Sequence, residues 1–204
     1  MNLAHSAWIS AVLLVAAAAS PGCSRSSQHA GAEDRAAAES TPAATTKAPT
    51  VGDAAPGFKL RGSDGKTYTL ADFADRMVVL EWFNKDCPTC IRQSDVIKAT
   101  ATALAKKGVA WLAIDSSHYR KAAENTAYAN EHKLPYPILE DFDGRVGKSY
   151  GVLVTPHLFV IRKGRIEYSG AILRVAEERN YVQEAVDALL AGETPPLPTT
   201  RAYG

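Results

Sequence analysis

A short apolar segment that leads directly into a cysteine pair and a helix is the feature that most constrains the fold of this chain. Residues 77–83, MVVLEWF, form an almost continuous apolar run, which is typical of a strand covered on both faces. Cys87 and Cys90 follow, and apolar residues then recur at helical spacing as far as Gly108, a residue suited to end a helix. The sequence therefore predicts a central strand whose end carries two cysteines into the first turn of a helix.

The rest of the central region alternates between strand and helix patterns. Strands are predicted near residues 58–60, 67–70, 109–114, 136–139, 157–161 and 166–168, and helices over residues 88–106, 119–133 and 180–191. This order indicates an α/β fold in which a central mixed sheet is flanked by helices on both faces.

The two ends of the chain differ in composition from this region. Residues 1–23 contain a short apolar run followed by small residues and are predicted to be a signal peptide. Residues 24–50 are rich in Ala, Ser, Thr and charged residues and are predicted to be a flexible linker. Residues 192–204, rich in Pro and Thr, are predicted to form an extended C-terminal tail. Residues 51–191 then form one domain of ordinary size.

The predicted signal ends in Ser20-Pro21-Gly22-Cys23, which resembles the end of a bacterial lipoprotein signal. Lipidation of Cys23 would tether the protein to a membrane, whereas ordinary cleavage after the alanine run would release it. In either case the domain is expected in the periplasm or on the extracytoplasmic face of a bacterial membrane.

Charge and cysteine content exclude several functional classes. The 23 basic and 22 acidic residues are balanced without a block of like charge, so no nucleic-acid partner is expected. The three cysteines are too few for a disulfide scaffold, and their pattern of one isolated residue and one close pair favours chemistry. A zinc site would need further ligands, and neither a metal nor an organic cofactor is expected.

The position of the cysteine pair predicts different roles for its two thiols. Unpaired backbone N–H groups and the positive end of the helix dipole favour a thiolate at Cys87, which is therefore the expected nucleophile. Cys90, one turn later on the inward face, is the expected resolving thiol, which displaces whatever Cys87 has captured. The alternatives are a structural disulfide, half of a zinc site and two inert buried thiols.

Other residues are candidates for the same site. Glu81 is the one charge in the apolar strand, so burial should raise its pKa toward neutrality and allow proton transfer with Cys90. The alternative for Glu81 is a partly solvated carboxylate near the strand end. Thr155-Pro156 is a candidate for a cis peptide bond, and His157 could carry a proton, although a histidine that begins a strand more often has a structural role. Lys85 and Asp86 are expected to form only the solvated rim of the loop.

With these motifs, the sequence resembles the thioredoxin-like redoxins, in particular the exported AhpC/TSA-type and TlpA/ResA-type branch. The similarity spans about residues 51–191 and includes VVLEWFNKDCPTC, Tyr150-Gly151-Val152 and Thr155-Pro156-His157. The resemblance implies that Cys87 attacks and Cys90 resolves. It also implies that Pro156 is cis and that Thr155 and Pro156 shape a groove that binds an extended substrate segment. The Trp that usually precedes the first cysteine is Asp86 here.

The expected function is thiol–disulfide exchange with protein thiols and disulfides in the cell envelope. A membrane electron donor or components of cytochrome maturation are further candidate partners. The nearest alternative is a thiol peroxidase, although Leu80 and Asn84 replace the Pro and Thr of the Pro-x-x-x-Thr-x-x-Cys segment found in peroxiredoxins. A copper chaperone that holds Cu(I) with Cys87, Cys90 and His157 is a further alternative, as is an accessory lipoprotein that binds partners without turnover.

Overall fold

The computed structural model describes residues 47–174 and 179–204, so the predicted signal peptide, Cys23 and most of the predicted linker lie outside the described residues. The strands in chain order are β1 (Lys59–Arg61), β2 (Thr67–Thr69), β3 (Val78–Trp82), β4 (Ala110–Asp115), β5 (Ile138–Glu140), β6 (His157–Arg162), β7 (Arg165–Gly170), β8 (Leu173–Arg174) and β9 (Arg179–Asn180). The helices are α1 (Pro88–Ala105), α2 (Ala122–Glu131), α3 (Arg145–Ser149) and α4 (Tyr181–Leu190), with a 3-10 helix at Leu70–Phe73. Over these residues, no helix has the length and apolar character needed to cross a membrane.

A mixed five-stranded sheet forms the centre of the fold, in the order β5-β4-β3-β6-β7. The strands β3, β4 and β5 are parallel, whereas β6 pairs antiparallel with both β3 and β7. The strand β3 is therefore central, as its apolar sequence predicts. This topology confirms the predicted α/β class with a mixed sheet.

Side chains of β3 contribute alternately to two cores, because successive residues of a strand point to opposite faces. Val79 packs with residues of α1 and α4 on one face. Leu80 and Trp82 pack on the other face, together with residues of the β1–β2 hairpin and Val146 of α3. Every residue of β3 is buried, and this explains why its sequence is almost continuously apolar. The predicted placement of helices on both faces is confirmed.

The helix α1 begins directly beyond β3. Cys87 has extended backbone angles and occupies the N-cap position, and Pro88 takes the first helical position, where the missing N–H has no intrahelical partner to lose. Ile97, Ala101 and Leu104 then face the sheet at helical spacing. The packing of α1 on the sheet thus holds Cys87 at the carboxyl end of β3.

The short helix α3 was not predicted from the sequence. Its five residues are too few to show a helical period. Asp141, which is buried, stabilises this helix by accepting hydrogen bonds from the backbone amides of Val146 at 3.0 Å and Gly147 at 2.8 Å. The contact with one carboxylate therefore stabilises α3, whose own sequence carries no helical pattern.

Part of the segment 192–204, which the sequence predicts to be an extended tail, lies against β7. Ser169 of β7 donates its backbone amide to the Pro198 carbonyl at 3.1 Å and accepts a bond from the Thr200 amide at 3.0 Å. Ser169 and Thr199 form an isolated parallel bridge. This segment thus extends the sheet beyond its edge strand.

We predict that Ile97→Ala lowers the free energy of unfolding by about 2–5 kcal/mol, because it removes a fully buried side chain and leaves a cavity beneath α1. Ile91→Ala is the matched control, since Ile91 lies on the same helix but is 53% exposed. Its effect should remain within about 0.5 kcal/mol. Chemical denaturation of the two variants measures both values, and equal losses would contradict the assigned face of α1.

Candidate active site

Cys87 and the Thr155–Pro156 segment lie together at the carboxyl end of β3. The Cys87 thiol is partly exposed and donates a hydrogen bond to the Thr155 carbonyl oxygen, with Sγ and O 3.0 Å apart. The Thr155–Pro156 peptide bond is cis, as the resemblance implied. The structure therefore brings together two motifs that are far apart in the sequence.

The pKa of Cys87 lies below its ordinary value. Partial burial alone would raise it, but hydrogen bonds to the sulfur outweigh burial. These bonds come from the side chains of Thr155 and Cys90 and from the backbone of Cys90 and Thr89. Because backbone amides converge on the N-cap position, they stabilise a negative charge there. Cys87 therefore has the environment of a nucleophilic thiol.

Cys90 has the opposite environment. It is 2% exposed and packs with Phe83, Ala113 and Ile138. Burial raises the pKa of Cys90 to about 12, the charges of Glu81 and Cys87 raise it as well, and a backbone hydrogen bond from Asn84 only partly offsets these effects. At neutral pH, Cys90 is therefore a protonated thiol beside a more acidic one.

Glu81 lies on the face of β3 that is covered by α1. It is 1% exposed, and Trp111 Nε1 donates a hydrogen bond to its Oε2 atom at 2.8 Å. Burial raises the pKa of Glu81 to about 7, although hydrogen bonds from the side chains of Trp111 and Tyr136 act in the other direction. This environment matches the expectation from the sequence, and it allows the carboxyl group to take up or release a proton near neutral pH.

The imidazole of His157 is bound to the neighbouring strand. Its Nε2 atom lies 3.0 Å from Ser169 Oγ, and its ring stacks on Phe159 with the centroids 4.5 Å apart. Burial lowers the pKa of His157 to about 4, so this ring is neutral at physiological pH. Among the residues that the structure describes, no three His, Cys, Asp or Glu side chains form a potential metal site.

The sequence analysis missed an ion-pair cluster beside Cys87. Asp86 forms an ion pair with Arg120, whose side chain is only 8% exposed, and Lys85 Nζ lies 2.9 Å from the other carboxylate oxygen of Asp86. Arg120 also binds Glu124 at 2.8 Å. Asp86 itself is exposed, as the sequence analysis expects for the rim of the loop, but its ion pair joins it to an arginine that no local pattern connects to it. These cations offset a negative charge next to Cys87.

The loop that carries Cys87 is also fixed by Asn84. The side-chain oxygen of Asn84 accepts a bond from the Asp86 amide at 2.8 Å, and its carbonyl accepts one from the Cys87 amide at 3.0 Å. Its side-chain nitrogen donates to Ser117 Oγ at 3.1 Å and to the Tyr119 hydroxyl at 2.9 Å. The loop therefore holds Cys87 with contacts to the segment that follows β4.

Comparison with protein families identifies the domain. The model of the AhpC/TSA family matches residues 51–169, which is more than half of the chain. The chain belongs to the AhpC/TSA family. The match covers β3, both cysteines and the Thr155–Pro156 segment, so the site described above lies within the family region.

Curated relatives of this AhpC/TSA protein are of two kinds. The thiol-disulfide oxidoreductase ResA of Bacillus thuringiensis is 28% identical over 113 residues, which are 55% of this chain and 64% of that protein. The chloroplastic peroxiredoxin Q of Triticum aestivum is 31% identical over 118 residues, which are 57% of this chain and 52% of that protein. The chain thus spans between about half and just under two thirds of the length of these relatives.

Solved structures give the fold of this AhpC/TSA protein. The thioredoxin domain of a thiol-disulfide oxidoreductase from Bacteroides vulgatus superposes with a TM-score of 0.58 at 19% identity. The superposition covers 70% of this chain and 99% of that domain. The fold is therefore thioredoxin-like, as the resemblance implied.

Burial of Glu81 should make stability depend on pH. Between its ordinary pKa of 4.5 and its folded value of about 7, the unfolded chain has lost the proton that the folded protein retains, so stability falls as the pH rises through this range. We predict that the free energy of unfolding of Glu81→Gln, relative to that of the native protein, rises by about 3 kcal/mol between about pH 4 and about pH 8. Denaturation at both pH values tests this, with the exposed Glu193→Gln as control. A pH-independent difference would contradict the assignment.

Removal of the Arg120 charge should lower the fraction of Cys87 that is ionised. The negative charge of Asp86 would lose its buried partner and would disfavour a second negative charge on Cys87. We predict that Arg120→Gln lowers the rate of Cys87 alkylation by iodoacetamide near pH 7 by about threefold or more. The pH at which the rate reaches half its maximum should move to a higher value. Adding Asp86→Asn should restore the rate. Arg145→Gln breaks an exposed ion pair with Asp143 and serves as the control. Failure of the double variant to recover would indicate loss of loop structure instead of an electrostatic effect.

Proposed function

We propose that this chain is a thiol–disulfide oxidoreductase that exchanges dithiol and disulfide with protein substrates through Cys87 and Cys90. The observation that carries the proposal is the placement of two thiols within one helical turn in opposite environments, since Cys87 is partly exposed at the helix start and Cys90 is buried among apolar side chains. These environments shift the pKa of Cys87 downward and that of Cys90 upward. A pair of this kind has one thiol that attacks and one that waits in the protonated form. The similarity to ResA supports the same reading.

In the reductive direction, the Cys87 thiolate attacks one sulfur of a substrate disulfide. The substrate S–S bond breaks, a mixed disulfide forms between Cys87 and the substrate, and the other substrate sulfur leaves as a thiolate that takes up a proton. The lowered pKa of Cys87 favours the attacking thiolate. The same steps in reverse oxidise a substrate dithiol.

The second step requires deprotonation of Cys90. Its thiolate attacks the Cys87 sulfur, the mixed disulfide breaks, and the Cys87–Cys90 disulfide forms while the second substrate thiolate leaves. Two electrons have then moved from the enzyme dithiol to the substrate. A thiol with a pKa of about 12 needs a base, and we assign this role to Glu81, whose pKa of about 7 matches proton transfer at neutral pH.

The Thr155–Pro156 segment is the proposed substrate-binding element. The Thr155 carbonyl contacts the nucleophilic sulfur, so a substrate bound along this backbone would present its disulfide to Cys87. A cleft of about 290 Å³ opens beside Thr155. Leu153, which lines the cleft, is 93% exposed and offers an apolar contact to a protein substrate.

We further propose that the protein acts outside the cytoplasm. The support is the predicted signal peptide in residues 1–23, with Cys23 as a lipidation site that would tether the domain to a membrane. Protein thiols and disulfides of the cell envelope are then the substrates. A membrane electron donor or cytochrome-maturation components are candidate partners that would recycle the Cys87–Cys90 pair.

A thiol peroxidase is the second candidate, because peroxiredoxin Q shows similarity of the same degree as ResA. In that reaction, the Cys87 thiolate would attack a peroxide to give a sulfenic acid and an alcohol or water. Cys90 would then displace water and form the disulfide. Asn84 occupies the position of the peroxiredoxin Thr, and its side-chain nitrogen is engaged with Ser117 and Tyr119. This arrangement favours disulfide exchange.

We predict that Cys87→Ser lowers insulin reduction at least about a hundredfold, because it removes the attacking sulfur. In Cys90→Ser, Cys87 should still attack the substrate, but the mixed disulfide between Cys87 and the substrate should accumulate. Mass spectrometry of the trapped complex detects it. Peroxide consumption is measured in parallel with the same variants. Peroxide turnover that persists in Cys90→Ser, together with inactivity on insulin in the native protein, would replace the proposal with the peroxidase function.

A further inference from the structure

The segment of residues 198–204, called here the strap, connects the edge of the sheet to the nucleophile. Near its beginning it is anchored on β7, where Thr200 Oγ1 accepts a bond from the Ala171 amide at 3.0 Å and lies 2.6 Å from the Tyr168 hydroxyl. Gly170 is close to this anchor, since a Cβ atom at Gly170 would overlap Thr200. The first part of the strap is therefore tightly packed.

The far part of the strap contacts the helix that carries the cysteines. The Tyr203 hydroxyl accepts a hydrogen bond from Gln93 Nε2 at 3.0 Å and donates one to the Leu173 carbonyl at 2.8 Å. Gln93 is a buried residue of α1, one turn beyond Cys90, and its side-chain oxygen lacks a hydrogen-bond partner within the described residues. One tyrosine hydroxyl thus provides the polar contacts of this part of the strap.

Gly204, which together with Tyr203 is called here the tip of the strap, lies close to the Thr155 backbone beside the nucleophile. A Cβ atom placed on Gly204 would overlap the Thr155 carbonyl oxygen and lie 3.3 Å from the Thr155 nitrogen. That carbonyl oxygen is the one that contacts Cys87 Sγ at 3.0 Å. Gly204 therefore covers the backbone along which an extended substrate would lie.

We propose that the strap selects the substrates of Cys87 by size, so that small thiol reagents reach the sulfur directly and polypeptides reach it only after the strap tip leaves Thr155. The inference rests on the proposed function in that it takes polypeptide disulfides as the substrates. An extended chain binds through backbone contacts, and Gly204 approaches the Thr155 backbone so closely that even a Cβ atom has no room between them. The anchor at Thr200 fixes the first part of the strap, whereas the tip is held by the hydrogen bonds of the Tyr203 hydroxyl and by the approach of Gly204 to Thr155.

The tip can be released by changes that leave the anchor intact. Tyr203→Phe removes both hydrogen bonds of the hydroxyl but retains the ring. Gly204→Val forces the tip away from Thr155, because a side chain has no room there, and a substitution at this exposed residue should not affect folding. Removal of residues 203 and 204 is a third variant. Tyr68→Phe is the matched control, since the Tyr68 hydroxyl binds Asp64 on the β1–β2 hairpin.

Alkylation of Cys87 in the Cys90→Ser background, with Cys23 also replaced, tests the proposal with two reagents. A polyethylene-glycol maleimide should react about fivefold or more faster in each tip variant than in the protein with the native strap. In the native protein, only the molecules whose tip has left Thr155 can react with this large reagent. Iodoacetamide should change by less than about twofold in the same variants. An unchanged rate with the large reagent, or equal acceleration with both, would overturn the proposal.

The two proposals fail in different ways. Alkylation requires only an accessible thiol, so its size dependence does not depend on any enzymatic activity. Should insulin reduction be absent while the large reagent still distinguishes the tip variants, the control of access by the strap would stand and the proposed function would fall. Rapid insulin reduction that no tip variant increases would leave the function in place and overturn the strap.

Discussion

Burial of β3 on both faces is the constraint on which the rest of the site depends. A shift of one residue in the register of such a strand would exchange the side chains that pack into the two cores. This fixes Glu81 toward α1 and Trp82 toward the opposite core. It also fixes where the strand ends, and therefore where the loop to Cys87 begins. Packing of the apolar strand therefore sets where Glu81 and Cys87 lie, and the polar contacts act on side chains already in place.

The two sulfurs show how burial and hydrogen bonding compete over a distance of one helical turn. Both lose solvent, but Cys87 remains close to backbone amides at the start of α1, whereas Cys90 lies among apolar side chains. Hydrogen bonds outweigh desolvation in the first case and not in the second. Glu81 is buried as well, and burial brings its pKa near neutrality although Trp111 and Tyr136 bind it. Burial thus accounts both for the resting thiol and for the group proposed to deprotonate it.

Contacts from remote parts of the chain then adjust this local arrangement. Arg120 reaches the loop before Cys87 from the segment between β4 and α2, and it offsets the charge of Asp86. The strap reaches Thr155 from the edge of the sheet beyond β7. The first contact acts on the charge near the nucleophile, and the second acts on the space beside it. Electrostatics and access are therefore controlled by different segments of the same domain.

The sequence by itself determined the central strand, the helix that follows it and the position of the two cysteines at the start of that helix, and it favoured the burial of Glu81. These features depend on the alternation and helical spacing of neighbouring residues, on a helix start and on a single charge in an apolar run, all of which are local patterns. Only the tertiary structure decided that Arg120 pairs with Asp86, that Asp141 stabilises α3, that His157 binds Ser169 and that residue 204 lies on Thr155. Each of these contacts joins segments whose approach is set by the packing of whole elements, and such an approach leaves no periodic signal in the sequence around either partner.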